Sequence, residues 1–290
     1  MNSQNRVLLV DGMALLFRAY FATSFKGYIR KTSAGIPTNA LFGFVQYLCD
    51  AIQYVKPTHV ICCWDMGSTT FRTELYPSYK ANRAEPPEDL VPQFESVKII
   101  VTSMGIPNIG VVGYEADDCL GTLASQLTQK SPTPISILTG DHDMFQLITE
   151  DVCIILMNKG RSNYTVYTPQ VLMENKGLRP NQIPDVKGFM GDASDNYPGV
   201  RGIGEKTAQK LIQTYQDVDG VLAHIDQLTD SIRSKIMIHQ EMLILSKKLA
   251  IIRRDVPIQM ELTDCQWQPD IQTAESTFRE FELEDLLKLI

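Results

Sequence analysis

A mostly parallel β-sheet with helices on both faces, followed by a helical region, is the fold the sequence predicts. Three observations carry this α/β reading. Short apolar runs alternate with amphipathic helical stretches over the first half of the chain. Several of those runs end in an acidic residue. Beyond residue 168 the strand-like runs stop, and Gly and Pro punctuate short helical segments.

Residues 6–11 (RVLLVD) read as a buried strand ending in Asp11, with a helical run over 13–21 after it. Residues 38–55 form a helix with an apolar stripe through Leu41, Phe44, Val45 and Leu48. A second buried strand, 58–65 (THVICCWD), again ends in an acid, Asp65. The segment 66–87 has neither strand nor helical periodicity. It interleaves Arg72, Lys80 and Arg83 with Tyr76 and Tyr79, a composition suited to single-stranded nucleic acid or to a solvated loop. Helices are expected over 90–104 and 116–129, and strands over 135–140, 152–157 and 164–167. The division expected is an α/β core over 1–167 and a helical region over 168–290, packed on the first without a linker.

Composition excludes several classes. At 290 residues the chain is long enough for a substantial core. Cys49, Cys62, Cys63, Cys119, Cys153 and Cys265 form no regular framework and read as reduced core thiols. His59, His142, His224 and His239 are scattered, which argues against zinc. The apolar run after Arg6 is too short for a signal peptide, and residues 32–49 are interrupted by polar residues, so neither export nor a membrane span is expected. These features predict a cytoplasmic protein.

The chemistry lies in five strings: VDG, WDMG, YEADD, TGDHD and GDASDN. They carry Asp11, Asp65, Glu115, Asp117, Asp118, Asp141, Asp143, Asp192 and Asp195. Each string alone reads equally well as a capped turn or as acids at a helix N-terminus. Together they fall at the strand-end edge where α/β sheets bind ligands. So many converging carboxylates would repel one another unless hard divalent cations sat among them. The net charge of −7 does not oppose a polyanionic partner, because setting these nine aside leaves 25 acids against 27 Lys and Arg. A further string, GVRGIGEKTAQKLI (199–212), places Gly199, Gly202 and Gly204 in a hairpin feeding a helix. Lys206 and Lys210 share one face of that helix, an arrangement suited to a sugar-phosphate backbone.

VDG, YKANR (79–83), EADD (115–118), TGDHDMFQL (139–147) and GDASDNYPGVRGIGEKTA (191–208) resemble the 5′-nuclease family. That family includes flap endonucleases and the 5′→3′ exonuclease domain of bacterial DNA polymerase I. The resemblance runs from about residue 6 to about 250 and most closely suits a free-standing bacterial 5′→3′ exonuclease. It implies a PIN-like α/β core with a helical arch over about 68–95, and a helix–hairpin–helix DNA clamp over about 190–215. It implies two Mg2+ ions, replaceable by Mn2+, with Asp11, Asp65, Glu115, Asp117 and Asp118 around the first. Asp141, Asp143, Asp192 and Asp195 would surround the second, with K+ at the clamp. Lys80 and Arg83 would hold the scissile phosphate, and Tyr79 would stack on a displaced base. The implied substrate is DNA with 5′ flaps or 5′ ends at duplex junctions. A monomer working in the bacterial cytoplasm, associated with the nucleoid, is expected. Two alternatives stay open: a ribonuclease acting on RNA or RNA-primer 5′ ends, and a branched-DNA binding module with structural metals.

Overall fold

The computed structural model describes residues 5–24, 28–130 and 132–290. The first part of the chain contains strand β1 (Val7–Asp11), helices α1 (Gly12–Thr23) and α2 (Asn39–Val55), and strand β2 (His59–Cys63). Next come α3 (Phe71–Leu75), α4 (Gln93–Ser103), β3 (Asn108–Ile109), α5 (Ala116–Lys130) and β4 (Ile135–Thr139). A 3₁₀ turn (His142–Leu147) leads to β5 (Val152–Met157) and β6 (Tyr164–Tyr167). The remainder is helical: α6 (Pro169–Lys176), α7 (Ile183–Met190), α8 (Glu205–Tyr215), α9 (Val218–Ala223), α10 (Asp230–Ile238), α11 (Gln240–Ala250) and α12 (Ile271–Glu280).

The six strands lie in the order β3-β2-β1-β4-β5-β6; all pairs are parallel except β5 with β6. The chain leaves β1 towards β2 and β3 on one side and returns to β4 and β5 on the other. The strand order therefore reverses beside β1, and a crevice opens at the carboxyl ends of β1 and β4. Pleating sends alternate residues of β1 to opposite faces. Leu8 and Val10 join α1, α2, α4 and α12 in one core, while Val7 and Leu9 join α5 and the helices after β6 in the other. Both faces are covered, which is why β1 reads as a continuous apolar run rather than an alternating one.

The helix expected over 90–104 begins at Gln93; Pro92 occupies the preceding position, and turns fill 88–92. The 66–87 segment is not wholly irregular. Thr70 caps the short α3, accepting from the Arg72 N–H, with Thr73 reaching back to the Thr70 N–H (2.9 Å). After α11 the chain folds back onto the α/β core. The Val256 N–H donates to Thr122 Oγ1 on α5 (3.1 Å), the Trp267 N–H donates to the Thr58 carbonyl (2.9 Å), and α12 packs on α4.

Candidate metal centre

Asp11 ends β1 with its side chain turned into the crevice. It caps α1 by accepting from the Ala14 N–H (2.9 Å), and Thr139 Oγ1, at the end of neighbouring β4, donates to its other oxygen (2.7 Å). Asp65, just past β2, accepts from the Ala116 N–H at the start of α5 (2.6 Å). This bond draws the β2 end and the α5 N-terminus together, so that Glu115 and Asp117 face the same space. Asp141 follows β4; its N–H donates to Thr139 Oγ1 (3.0 Å), and its carboxylate caps the 3₁₀ turn by accepting from the Asp143 N–H (2.8 Å). The GDASDN loop is closed by paired backbone bonds between Asp192 and Tyr197 (2.8 and 3.0 Å). Asp192 Oδ1 accepts from Ser194 Oγ (2.6 Å), which fixes the loop's acids.

Seven of the nine acids, Asp11, Asp65, Glu115, Asp117, Asp141, Asp143 and Asp192, line one open cavity of about 610 Å³. Burial pushes Asp11 up to about 6, with the charges of Asp65 and Asp141 adding to the rise. Burial raises Asp117 well above the usual carboxylate range, and Asp11, Asp141 and Glu115 push it further. Burial and Asp141 raise Asp143 to about 7, against the opposing pull of Lys187. Of the two acids missing from the lining, Asp195 is not far away: it brings a carboxylate oxygen within 4.8 Å of those of Asp143 and Asp192. Asp141 acts on Asp11, Asp117 and Asp143 alike, and so stands between the two expected groups.

Buried carboxylates that disfavour one another's ionisation are a donor set that hard cations would relieve. Oxygen-only donors at a crevice open to solvent suit Mg2+ or Mn2+, which keep several water ligands. The residues present therefore fit the divalent ions that the sequence implies.

Three expectations are corrected by the packing. Asp118 is fully buried and turned away from the cavity. It takes a two-pronged bond from Arg72 (2.7 and 2.9 Å) and accepts from the N–H groups of Arg253 (2.8 Å) and Glu115 (3.1 Å). With its lone pairs engaged, it supports the site rather than facing an ion. Arg72 is equally buried and donates to the Leu249 and Ile251 carbonyls (2.9 Å each), so it is not available to a nucleic acid. Tyr79 cannot stack on a displaced base. Its ring is buried against Tyr197, 6.4 Å between centroids, and its hydroxyl donates towards Asp195 (2.9 Å) and Glu115 (3.2 Å).

Lys80 and Arg83 do line the cavity. Lys80 Nζ pairs with Glu115 (2.8 Å), and Arg83 pairs with Asp195 (2.6 Å). Burial works against the Lys80 ammonium, but Glu115 and Asp195 outweigh it and raise its pKa. The backbone around them is sewn to the GDASDN loop by Lys80 N–H to the Asp195 carbonyl (2.9 Å) and Asn82 to the Ala193 carbonyl (2.8 Å).

In the hairpin the three glycines differ. Gly199 has φ +61°, and a Cβ there would lie 2.3 Å from the Gly191 nitrogen, so the fold itself demands glycine. Gly202, with φ +83°, makes the turn. Gly204 has extended backbone, precedes α8, and has open space around it. Lys206 and Lys210 are exposed on α8.

A family model described as the 5′–3′ exonuclease N-terminal resolvase-like domain matches residues 6–177. A second, described as the 5′–3′ exonuclease C-terminal SAM fold, matches residues 178–273. The chain belongs to the 5′–3′ exonuclease family. A 5′–3′ exonuclease of Bacillus subtilis (strain 168) is 44% identical over 288 residues, covering 99% of this chain and 97% of that one. DNA polymerase I of Bacillus caldotenax is 38% identical over 287 residues, and the match spans 98% of this chain but only 32% of the polymerase. The fold is that of the bacteriophage T5 D15 flap endonuclease, solved with DNA and metal ions. That likeness has a TM-score of 0.68 at 22% identity and covers 98% of this chain and 97% of that one. The 5′–3′ exonuclease has an acidic cluster suited to two-metal phosphodiester hydrolysis.

Sequence reasoning passed over two residues of this exonuclease's site. Lys187 on α7 places Nζ 2.6 Å from Asp143 and pairs also with Asp192, and these acids raise its pKa against the cost of burial. Its one legible signal is its place five residues before Asp192. Thr139, which bonds Asp11 and Asp141, had no signal beyond ending a strand.

Proposed function

We propose that this exonuclease hydrolyses DNA near the junction of a duplex and a 5′ single strand, as a 5′→3′ exonuclease and 5′-flap endonuclease, with Mg2+ held by the cavity acids. The observation that carries the reading is the gathering of seven carboxylates around one solvent-open cavity with Lys80 and Arg83 on its wall. Asp11, Asp65, Glu115 and Asp117 are the residues for one ion, and Asp143, Asp192 and Asp195 those for the other, with Asp141 between them. Bound there, divalent ions would activate the attacking water and stabilise the leaving oxygen.

The protein's own groups have defined tasks. Lys80 uses one of its three N–H donors on Glu115, leaving others for a phosphate oxygen. Arg83 is half exposed at the cavity rim and brings its guanidinium to the same phosphate, offsetting charge as it develops. Tyr79 ties Glu115 to Asp195 and so holds the two acid groups in register. The segment 68–95 forms the arch through which a free 5′ strand passes. Gly202, Gly204, Lys206 and Lys210 grip the duplex backbone without reading bases, with K+ at the hairpin as a further expected ion. Among the described residues no helix is long and apolar enough to cross a membrane. We read the protein as a monomer of the bacterial cytoplasm.

The test is cleavage of a 5′-labelled DNA flap with Mg2+, with Mn2+ and with chelator, beside an all-RNA flap. Release of a product cut near the junction, dependent on metal and favouring DNA, is expected. Preference for RNA would shift the reading to a ribonuclease, and tight binding without turnover in either metal would leave only a branched-DNA binding module.

A further inference from the structure

Residues 78–82, which include Lys80, lie against residues 193–196 of the loop that carries Asp192 and Asp195. Three hydrogen bonds cross between the two segments in antiparallel order. The Asn196 amide donates to the Ser78 carbonyl (2.7 Å), the Lys80 N–H to the Asp195 carbonyl (2.9 Å), and the Asn82 amide to the Ala193 carbonyl (2.8 Å). An asparagine in a turn ordinarily bonds its own nearby backbone. These two instead spend their amide donors on the main chain of a segment more than a hundred residues away.

The backbone is unusual on both sides of this contact. Lys80 has φ +56° and Asn196 has φ +60°, two of the six non-glycine residues with positive φ among the described residues. Asparagine adopts this left-handed conformation readily, whereas lysine does not. A strained backbone of this kind persists only where neighbouring contacts over-determine it, and here the cross-bonds supply those contacts. From that backbone the Lys80 ammonium reaches Glu115 (2.8 Å). Relaxation of Lys80 to an ordinary negative φ would swing the chain on one side of it relative to the other and draw the ammonium off Glu115.

We propose that Asn82 and Asn196 are positioning residues for cleavage. They hold Lys80 in its strained conformation and so keep its ammonium in register with the carboxylates of the 192–195 loop. The proposal rests on the reading of this cavity as a phosphodiester-cleaving site. Neither asparagine lines the cavity, so both act through Lys80 rather than on the phosphate. Asn82 is exposed and Asn196 half-buried, and amide bonds so placed contribute little net stability. A shift of the reacting groups by an ångström, by contrast, costs rate heavily.

The measurement is steady-state cleavage of a labelled 5′-flap DNA in Mg2+, with kcat and KM resolved, beside thermal melts. The variants are Asn82→Ala, Asn196→Gly and the two combined, each made again in a Lys80→Met background. Glycine at 196 tolerates the left-handed backbone and removes only the amide. Each single change should lower kcat about three- to tenfold, and the pair by more than about tenfold. KM should stay within about twofold and melting within about 2 °C of wild type. In the Lys80→Met background the pair should lower kcat by less than about twofold, because the charge it positions is already gone. Wild-type kcat in the combined variant overturns the proposal. So does a loss of equal size with and without Lys80, or one confined to KM, since either marks a contact that does not act through Lys80. If Lys80→Met cuts as wild type does, the role given to Lys80 fails and this inference with it, while cleavage by the metal-holding acids stands. If wild type itself does not cut the flap, the reading of the cavity fails first.

Discussion

Arg72 and Asp118 show how a residue next to the chemistry serves it without touching it. Both are buried, and their two-pronged bond locks the start of α5, where Glu115 and Asp117 project into the cavity. Removing one partner leaves the other as a buried, uncompensated charge. Arg72→Met should therefore cost about 3–5 kcal/mol of stability. Chemical denaturation of the variant beside wild type checks this, and a loss below about 1 kcal/mol would show that the pair is dispensable. At this scale the sequence was legible for residue type but not for orientation. EADD presents three acids within four positions, yet spacing alone does not tell which lone pairs are already engaged. Asp118 is claimed by an arginine 46 residues away, and Tyr79 by acids 36 and 116 residues away. No local pattern encodes such partnerships.

At the scale of elements, the hairpin before α8 separates two uses of glycine that look alike in GVRGIG. A Cβ at Gly199 would meet the Gly191 nitrogen at 2.3 Å and the Phe189 carbonyl at 2.5 Å, both rigid backbone, with φ already in the left-handed region. Gly199→Ala is expected to cost about 3 kcal/mol or more. Gly204→Ala, with nothing within 4 Å and extended backbone, should melt within about 2 °C of wild type while weakening duplex binding. Thermal melts of the two variants decide this; equal destabilisation would contradict the division of roles. Five of the six strands and the long helices of the first half were readable from their apolar runs and periodicity, while the two-residue β3 was not. Short α3 was not, since a single turn held by Thr70 and Thr73 has no periodicity to detect. Nor was the route that residues 251–270 take over the core, which depends on contacts with Thr58 and Thr122 far back in the chain.

For the whole molecule, the sheet's switch in strand order is what turns distant acids into one site, and the same convergence couples stability to pH and metal. Asp11 at about 6 and Asp143 at about 7 lie above the ordinary carboxylate value. Without metal the folded state thus holds protons that the unfolded chain has released between about pH 4 and pH 7. The contribution of these groups to stability falls as pH rises through that window. Divalent ions need the ionised carboxylates, so their binding releases protons and strengthens with pH over the same range. Mg2+ should raise the melting temperature clearly at pH 8 and little at pH 5.5. An equal shift at both values would place the ion outside these acids.

The central claim is that this cavity performs metal-dependent phosphodiester cleavage, and Asp141→Ala tests it most directly. Asp141 stands between the two groups of acids, so its loss affects both, while its place on an exposed turn leaves the core intact. Cleavage of a labelled 5′-flap DNA in Mg2+ should fall by more than the roughly 10–100-fold that loss of a supporting partner costs, with flap binding within a few-fold of wild type. Unchanged turnover in that variant would contradict the account.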